Sequence, residues 1–377
     1  MKKSHLFYAV SVALLATTAH AAPEVSGRLY LSGLYEDTDV KSTNVATGAD
    51  VTDASDSTSR TVLNSGGSRL RFKGSETLTP NTDLEYWLEY AIKVDDDNRT
   101  SSGISQNFVS RNTYLGLKHK EYGTVRVGRI YTPDDDIDYV GAGYLYAVGA
   151  DLPFTYFGQR SNNTIQYISP KIADAVQVKL HYAMDEESNT QPADPATAVP
   201  GVTPPNVNGG GFKTFKDGVS TTVNRDFIAG HVLYSKDKLN AGVAYTHAGD
   251  EFNALRAMAS YDVTDKLNLG VMAQRVDYNS GNPELGVVAS GYYKLDPKHD
   301  VYAQVGFADN YGGYKDGETT RFSVGGIKWL KKDGGTRVRV FGSLNHADTT
   351  SFSGNGASLV KKETTAFGIE TGVRYDF

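Results

Sequence analysis

The chain has 377 residues, no cysteine and a formal net charge of −6. Without cysteine there are no disulfides, no thiol chemistry and no thiolate-bound metals, and the acidic balance excludes the basic surface of a nucleic-acid binder. A content of 24 Tyr, 15 Phe and 39 Gly against 12 Pro fits strands with aromatic edges rather than helices.

Residues 1–21 begin with Lys2-Lys3, continue through an apolar run from Leu6 to Ala16 and close on Ala19-His20-Ala21. This is the layout of a secretory signal peptide, with the mature chain starting at Ala22 and residues 22–377 forming one domain. The run is shorter than the ~20 residues of a spanning helix, so removal is expected rather than anchoring. Loss of Lys2 and Lys3 takes the formal charge from −6 to −8. No later run approaches helix length, yet the mean hydropathy of −0.40 also suits membrane strands of ~10 residues that alternate apolar with polar.

Such alternation recurs along the chain. Leu29, Leu31 and Tyr35 oppose Arg28 and Tyr30; Leu84, Tyr86, Leu88, Tyr90 and Ile92 oppose Glu85, Glu89 and Lys93; Val176, Val178, Leu180 and Tyr182 oppose Gln177, Lys179 and His181. At the end Phe367, Ile369, Val373, Tyr375 and Phe377 oppose Glu370, Arg374 and Asp376. Sixteen strands are predicted, over 24–36, 67–76, 83–94, 107–119, 122–130, 162–170, 175–185, 225–235, 239–249, 253–263, 266–278, 285–295, 299–309, 319–330, 336–347 and 366–377. An even number suits a closed antiparallel barrel. Short connections at 77–82, 120–121, 171–174, 236–238, 264–265, 296–298 and 331–335 alternate with long polar ones at 37–66, 95–106, 131–161, 186–224 and 348–365, although those near 251 and 280 are short. Short turns on the periplasmic side and longer loops outside put both termini at the periplasm. The stretch 189–211, rich in Pro, Asn and Gly, is expected to be a surface loop.

Three stretches carry a family resemblance: Gly67-Ser68-Arg69-Leu70-Arg71-Phe72-Lys73-Gly74-Ser75-Glu76; Arg111-Asn112-Thr113-Tyr114-Leu115-Gly116-Leu117-Lys118 with Tyr122-Gly123-Thr124-Val125-Arg126-Val127-Gly128-Arg129; and Arg160-Ser161-Asn162-Asn163-Thr164-Ile165-Gln166-Tyr167. With Glu24 to Tyr35 and terminal Phe377, the chain resembles the trimeric general porins of Gram-negative bacteria over most of its first half and at its end. From about 186 to 365 it agrees mainly in strand rhythm. The resemblance implies an all-β fold, a transmembrane antiparallel β-barrel of about 16 strands with the third loop folded into the lumen. It further implies a homotrimer in the outer membrane, surrounded by its lipid, that passes ions and small hydrophilic solutes passively, is not an enzyme and needs no cofactor. Tyr375 and Phe377 match the signal that the barrel-assembly machinery reads in that family.

The same resemblance implies a basic wall cluster of Arg28, Arg69, Arg111 and Arg160, with Arg71 and Lys73 on the face of Arg69, opposed by acidic residues of the third loop. Independently, an arginine on the lipid face near the midplane costs about 2–4 kcal/mol, which turns Arg28, Arg69 and Lys73 inward. Arg111 conflicts with this argument, because Leu115 and Leu117 share its parity. The acidic candidates are Asp134, Asp135, Asp136, Asp138 and Asp151; taken alone, such a run suits a solvated loop. Opposed charges across a narrow passage set ion preference. The Pro-Glu-Phe style segment of enteric relatives is absent, with Leu152-Pro153-Phe154 the nearest echo.

Tyr86, Tyr90, Tyr182, Tyr245, Tyr293 and Tyr375 suit interfacial girdles. Tyr131, Tyr139, Tyr144, Tyr146, Tyr156 and Phe157 crowd the third loop, either lining an aromatic path for a selected substrate or packing the loop to the wall. No histidine pair has the His-x-x-x-His spacing of a metal site. Two rival classes remain: a barrel enzyme, disfavoured by the absence of Gly-x-Ser-x-Gly, and an adhesin or receptor acting through its long loops. Conductance separates them from a channel.

Overall fold

The computed structural model describes residues 23–51, 56–95, 108–137, 151–156, 160–184, 212–216, 219–223, 227–248, 252–278, 281–332, 335–354 and 356–377. The expected signal peptide and Asp138 lie outside them. The strands are β1 (Glu24–Asn44), β2 (Asp56–Asn64), β3 (Arg69–Thr79), β4 (Thr82–Ala91), β5 (Val109–His119), β6 (Gly123–Tyr131), β7 (Arg160–Ile168), β8 (Val176–Ala183), β9 (Phe212–Lys216), β10 (Val219–Val223), β11 (Phe227–Lys236), β12 (Leu239–Ala248), β13 (Phe252–Asp262), β14 (Leu267–Asp277), β15 (Glu284–Lys294), β16 (His299–Asp309), β17 (Glu318–Lys331), β18 (Arg337–Ser353) and β19 (Val360–Asp376).

Seventeen of these form one sheet, with β9 and β10 a separate hairpin. Neighbours pair antiparallel, and β1 pairs with β19, so the sheet closes on itself. Both β2 and β3 pair with β1, end to end: 56–64 along its outer part and 69–73 along its start. They share one position, which makes a closed antiparallel 16-strand barrel with one strand in two pieces. The register explains the break. Ser32↔Asn64 sums to 96 and Arg28↔Arg69 to 97, so one extra residue is absorbed between them. The Ser68 hydroxyl fills the gap in the ladder, accepting from the Tyr30 N–H at 2.9 Å and donating to the Tyr30 carbonyl at 3.0 Å.

Three expected loops are therefore partly strand, a correction to the sequence reading. Residues 37–44 and 56–64 continue the wall through 37–66, β18 and β19 run on through much of 348–365, and β9–β10 falls within 186–224. Apolar alternation stops there, but pairing does not, because cross-strand polar contacts replace burial. Arg60 Nη2 lies 2.6 Å from Glu36, Ser57 donates to Asp39 at 2.5 Å, and Ser59 donates to Asp37.

The wall has two unlike faces. On β13, Leu255 is 49% exposed while its neighbour Arg256 is 1% exposed. Val243, Val271, Leu285, Val287, Val305 and Phe307 share the outward parity, and Tyr182, Tyr245, Tyr293 and Tyr375 are exposed with them, whereas Tyr86 and Tyr90 are half-buried. No helix among the described residues is long and apolar enough to cross a membrane; the continuous apolar outside is the surface that a strand-built membrane protein presents to lipid. Where the chain ends, Gly27 and Phe377 exchange backbone hydrogen bonds at 2.8 and 3.1 Å. A Cβ on Gly27 would fall 2.5 Å from the Phe377 ring, so only glycine admits the terminal side chain at the seam.

Candidate functional site on the inner wall

Strands β1, β3 and β5 bring the basic residues together around one carboxylate. Glu89 of β4, 2% exposed, meets Arg71 Nε at 2.5 Å, Arg111 Nε at 2.8 Å and Arg69 Nη1 at 3.5 Å. Arg28 stands opposite Arg69 in the ladder and pairs with Asp376 at 3.1 Å, a carboxylate it shares with Arg374. Arg160, at the start of β7, donates to the Tyr131 hydroxyl at 2.7 Å, and Arg111 donates to the same oxygen at 2.6 Å. Five of the six basic candidates thus form a contiguous group. Lys73 sits apart, paired with Glu24 at 3.0 Å and half-exposed.

The conflict over Arg111 is resolved by register. Leu88↔Thr113 sums to 201 and Tyr90↔Ser110 to 200, so β5 carries one extra residue opposite Glu89. An extra residue reverses parity beyond it. Leu115 and Leu117 keep the outward face while Arg111, four and six residues earlier, reaches Glu89 inside.

The segment between β6 and β7 is described at its two limbs, 132–137 and 151–156. Both lie against inward-parity side chains. The first forms a short 3-10 turn, Pro133–Ile137. His231 Nδ1 donates to the Pro133 carbonyl at 2.7 Å, and Asp136 pairs with Lys179 of β8 and lies 3.5 Å from His231. Asp134 is 2% exposed, and its carbonyl accepts from Arg256 Nη1 at 3.1 Å. The same guanidinium reaches the second limb at the Tyr156 carbonyl, 3.3 Å away, and Gln274 Nε2 donates there at 2.9 Å. Ile137, Leu152 and Phe154 pack with Ala244, Met258, Met272 and Val288. Phe154 lies so close to β15 that a Cβ on Gly286 would come within 2.3 Å of its ring. Burial first, then the Asp134 carboxylate, pushes the Tyr156 hydroxyl well above its ordinary range; burial and then Glu284 do the same to Tyr278, so both stay neutral.

Of the acidic candidates, Asp136 pairs with Lys179 of β8 and lies near His231 of β11, and Asp134 meets Arg256 of β13 through its backbone carbonyl. Asp135 donates its backbone N–H to the Thr132 carbonyl at 3.1 Å, Asp151 is exposed, and Asp138 lies outside the described residues. Tyr375 faces outward, its ring 5.3 Å from that of Phe377 and tilted against it by 31°.

Sequence reading missed four inner-wall residues as members of the site. Glu89 was visible on the charged face of its strand, but nothing marked it as the hub. Arg256, Glu284 and Asp300 stand at inward parity among mostly small or apolar residues, the other charges at that parity, Asp262 and Lys294, falling at the far ends of β13 and β15, and that relative isolation was the available signal. Asp300 is held by the Trp329 Nε1–H at 2.5 Å and by the Tyr292 hydroxyl. On β19, Glu370 accepts from Ser32 at 2.7 Å and from Tyr30.

A family model described as Gram-negative porin matches residues 9–357. No curated protein matches the chain. Among solved structures, an anion-selective porin from Comamonas acidovorans is 21% identical, covering 94% of this chain and 100% of its own, with a TM-score of 0.59. The trimer form of in-vitro folded OmpT, an outer-membrane protein of Vibrio cholerae, is 17% identical over 95% and 100%, at 0.55. Salmonella typhi OmpF in complex with daunomycin is 15% identical over 93% and 97%, at 0.54. At these identities the likeness concerns the fold, and the family rests on the match to its model. That match runs through nearly the whole wall of a barrel that is apolar outside and charged within: the chain belongs to the Gram-negative porin family and forms an outer-membrane channel for passive diffusion of small solutes.

Proposed function

We propose that this porin is a general diffusion channel with a preference for anions, its passage running between the arginine group and a β6–β7 segment folded into the lumen. The observation that carries the preference is the charge count at the wall: Arg28, Arg69, Arg71, Arg111 and Arg160 gather around two carboxylates, Glu89 and Asp376. Fixed charge lining a narrow aqueous path concentrates the opposite ion. Because the Asp136 carboxylate is paired with Lys179, it leaves that excess uncompensated. The likeness to the anion-selective porin of Comamonas supports the same direction.

Reversal potential across a planar bilayer under a salt gradient tests it. Arg69→Ala is expected to shift selectivity toward cations, and Glu89→Gln, which removes the hub's charge and keeps its shape, toward anions. Unchanged reversal potentials in both variants would sink the reading.

The finer architecture follows the family. Residues 1–21 act as a cleaved leader before the single domain 22–377, which mass spectrometry of the mature N-terminus checks. Three copies assemble, in keeping with the trimer form of the Vibrio protein; a native gel without a heat-sensitive oligomer band would remove this. Tyr375 and Phe377 serve as the assembly signal. No catalytic step is involved. The buried Ser161 hydroxyl lies 2.6 Å from His181 Nε2, but the ring's other nitrogen faces the Gln166 amide nitrogen at 3.0 Å rather than the carboxylate of a Ser-His-Asp arrangement. A receptor role is favoured by one observation. β1, with 21 residues, and β18 and β19, with 17 each, outrun the ~9–11 residues that cross a bilayer and present a rigid outward wall.

A further inference from the structure

Two stretches remote in sequence converge on Glu284, the first residue of β15, which is 1% exposed. One carboxylate oxygen accepts the Thr155 N–H at 2.9 Å; the other accepts the Thr155 hydroxyl at 2.5 Å and the Gly312 N–H at 2.9 Å. Thr155 belongs to the second limb of the β6–β7 segment, and Gly312 to the β16–β17 connection. That connection is itself seated on the turn before β15. Asn282 donates its N–H to the Gly313 carbonyl at 2.9 Å, and Asn310 Nδ2 donates to the Pro283 carbonyl at 3.2 Å. Hydrogen bonds to an ionised acceptor are roughly twice as strong as neutral ones, and here two chain segments share one acceptor group. Removing it leaves part-buried donors on both without this acceptor.

We propose that Glu284 is a positioning residue of the channel, a clamp that ties the second limb of the β6–β7 segment to the outward β16–β17 connection, so that displacing this connection from outside alters the passage. The proposal rests on the reading that the β6–β7 segment lies in the lumen. Phe154, packed onto Gly286, holds the limb next to the clamp by apolar contact, whereas Thr155 itself is held by polar bonds to Glu284 and Tyr278. Loss of the clamp therefore frees the polar end of the limb while the barrel ladder stays intact.

Single-channel recordings on Glu284→Ala, Glu284→Gln and Thr155→Val test this, with the heat-denaturation midpoint of the barrel measured beside them. Glu284→Ala is expected to raise occupancy of closed or reduced-conductance states by roughly tenfold or more, the scale set by losing a charge-assisted bond. Gln, which keeps an acceptor oxygen, and Val at 155, which deletes one bond of three, fall between, with the midpoint unchanged in all. The chain has no cysteine, so Lys315→Cys on the exposed β16–β17 connection gives a unique handle. A bulky maleimide attached there is expected to increase closures in the parent background and to add nothing in Glu284→Ala. Parental gating in all three variants, or an equal effect of the label in both backgrounds, overturns the clamp. Lys179→Ala separates this failure from that of the underlying reading. Conductance that responds to Lys179→Ala but not to Glu284→Ala rejects the clamp alone, while indifference to both rejects a lumen position for the segment.

Discussion

Arg256 is the residue that joins the two ends of the β6–β7 segment. Its guanidinium is fully buried, takes the Asp134 carbonyl on one limb and the Tyr156 carbonyl on the other, and is itself oriented by Gln274 at 2.7 Å. A guanidinium offers five donors in a fixed fork, which is what lets one side chain span both limbs. Arg256→Met keeps the stem and removes the fork. Each lost bond to a charged donor is worth about 1.5–3 kcal/mol, so the limbs are expected to loosen. The measurement is open-channel current noise, which rises if Arg256 fixes the segment and stays parental if apolar packing suffices. Glu89 acts at the same scale. Three arginines lean on its carboxylate from β3 and β5, so the selectivity shift of Glu89→Gln reports guanidinium freedom as well as charge. The inward parity of both residues was legible from alternation with Leu255 and with Leu88 and Tyr90, but their partners were not, since those lie on other strands.

At the scale of elements, irregularities in the ladder decide where charges point. The extra residue in β5 puts Arg111 inside although the parity of Leu115 and Leu117 puts it outside. Asn112 shares the bulge and accepts the Tyr131 N–H at 3.3 Å, a long and weak bond. Deleting Asn112 makes alternation continuous from Thr113 through Arg111 with the arginine still facing Glu89. The deletion is expected to fold, with reversal potential and heat transition near the parent's. A collapse of either would show that the bulge does more than set parity. The break between β2 and β3 is of the same kind, with the Ser68 hydroxyl standing in for a backbone partner. The outward extensions of β1, β2, β18 and β19 were not legible, because they are held by polar pairs such as Arg60–Glu36 rather than by an apolar face.

For the whole molecule, closure at the β1–β19 seam is the global event, and it passes through Gly27 and Phe377. Gly27→Val places branched carbons where the Phe377 ring lies and is expected to lower the yield of folded barrel, read as the heat-modifiable band on a gel, far more than Gly33→Val, whose added Cβ meets nothing within 4 Å. Equal yields from the two variants would remove the seam argument. Because closure pairs residues nearly the full chain apart, Arg28 with Asp376 among them, its contacts form late in sequence terms and bear on folding rate as well as stability.

The sequence by itself determined the class of object. Period-two alternation, charges confined to one parity and short turns between polar loops specify a strand-built barrel with a charged interior, since side chains in a strand alternate whatever the partner strand. Sequence motifs likewise pointed to Arg28, Arg69, Arg71, Arg111 and Arg160 as candidates. Only the tertiary structure decided which of them meet, that Glu89 is their common counter-ion, that Asp136 turns to Lys179 on β8, and that Glu284 binds two loops at once. The physical reason is that parity is local and register is not: a single extra residue reverses a face, and cross-strand partners are chosen by pairing between stretches that have no neighbourhood in the chain.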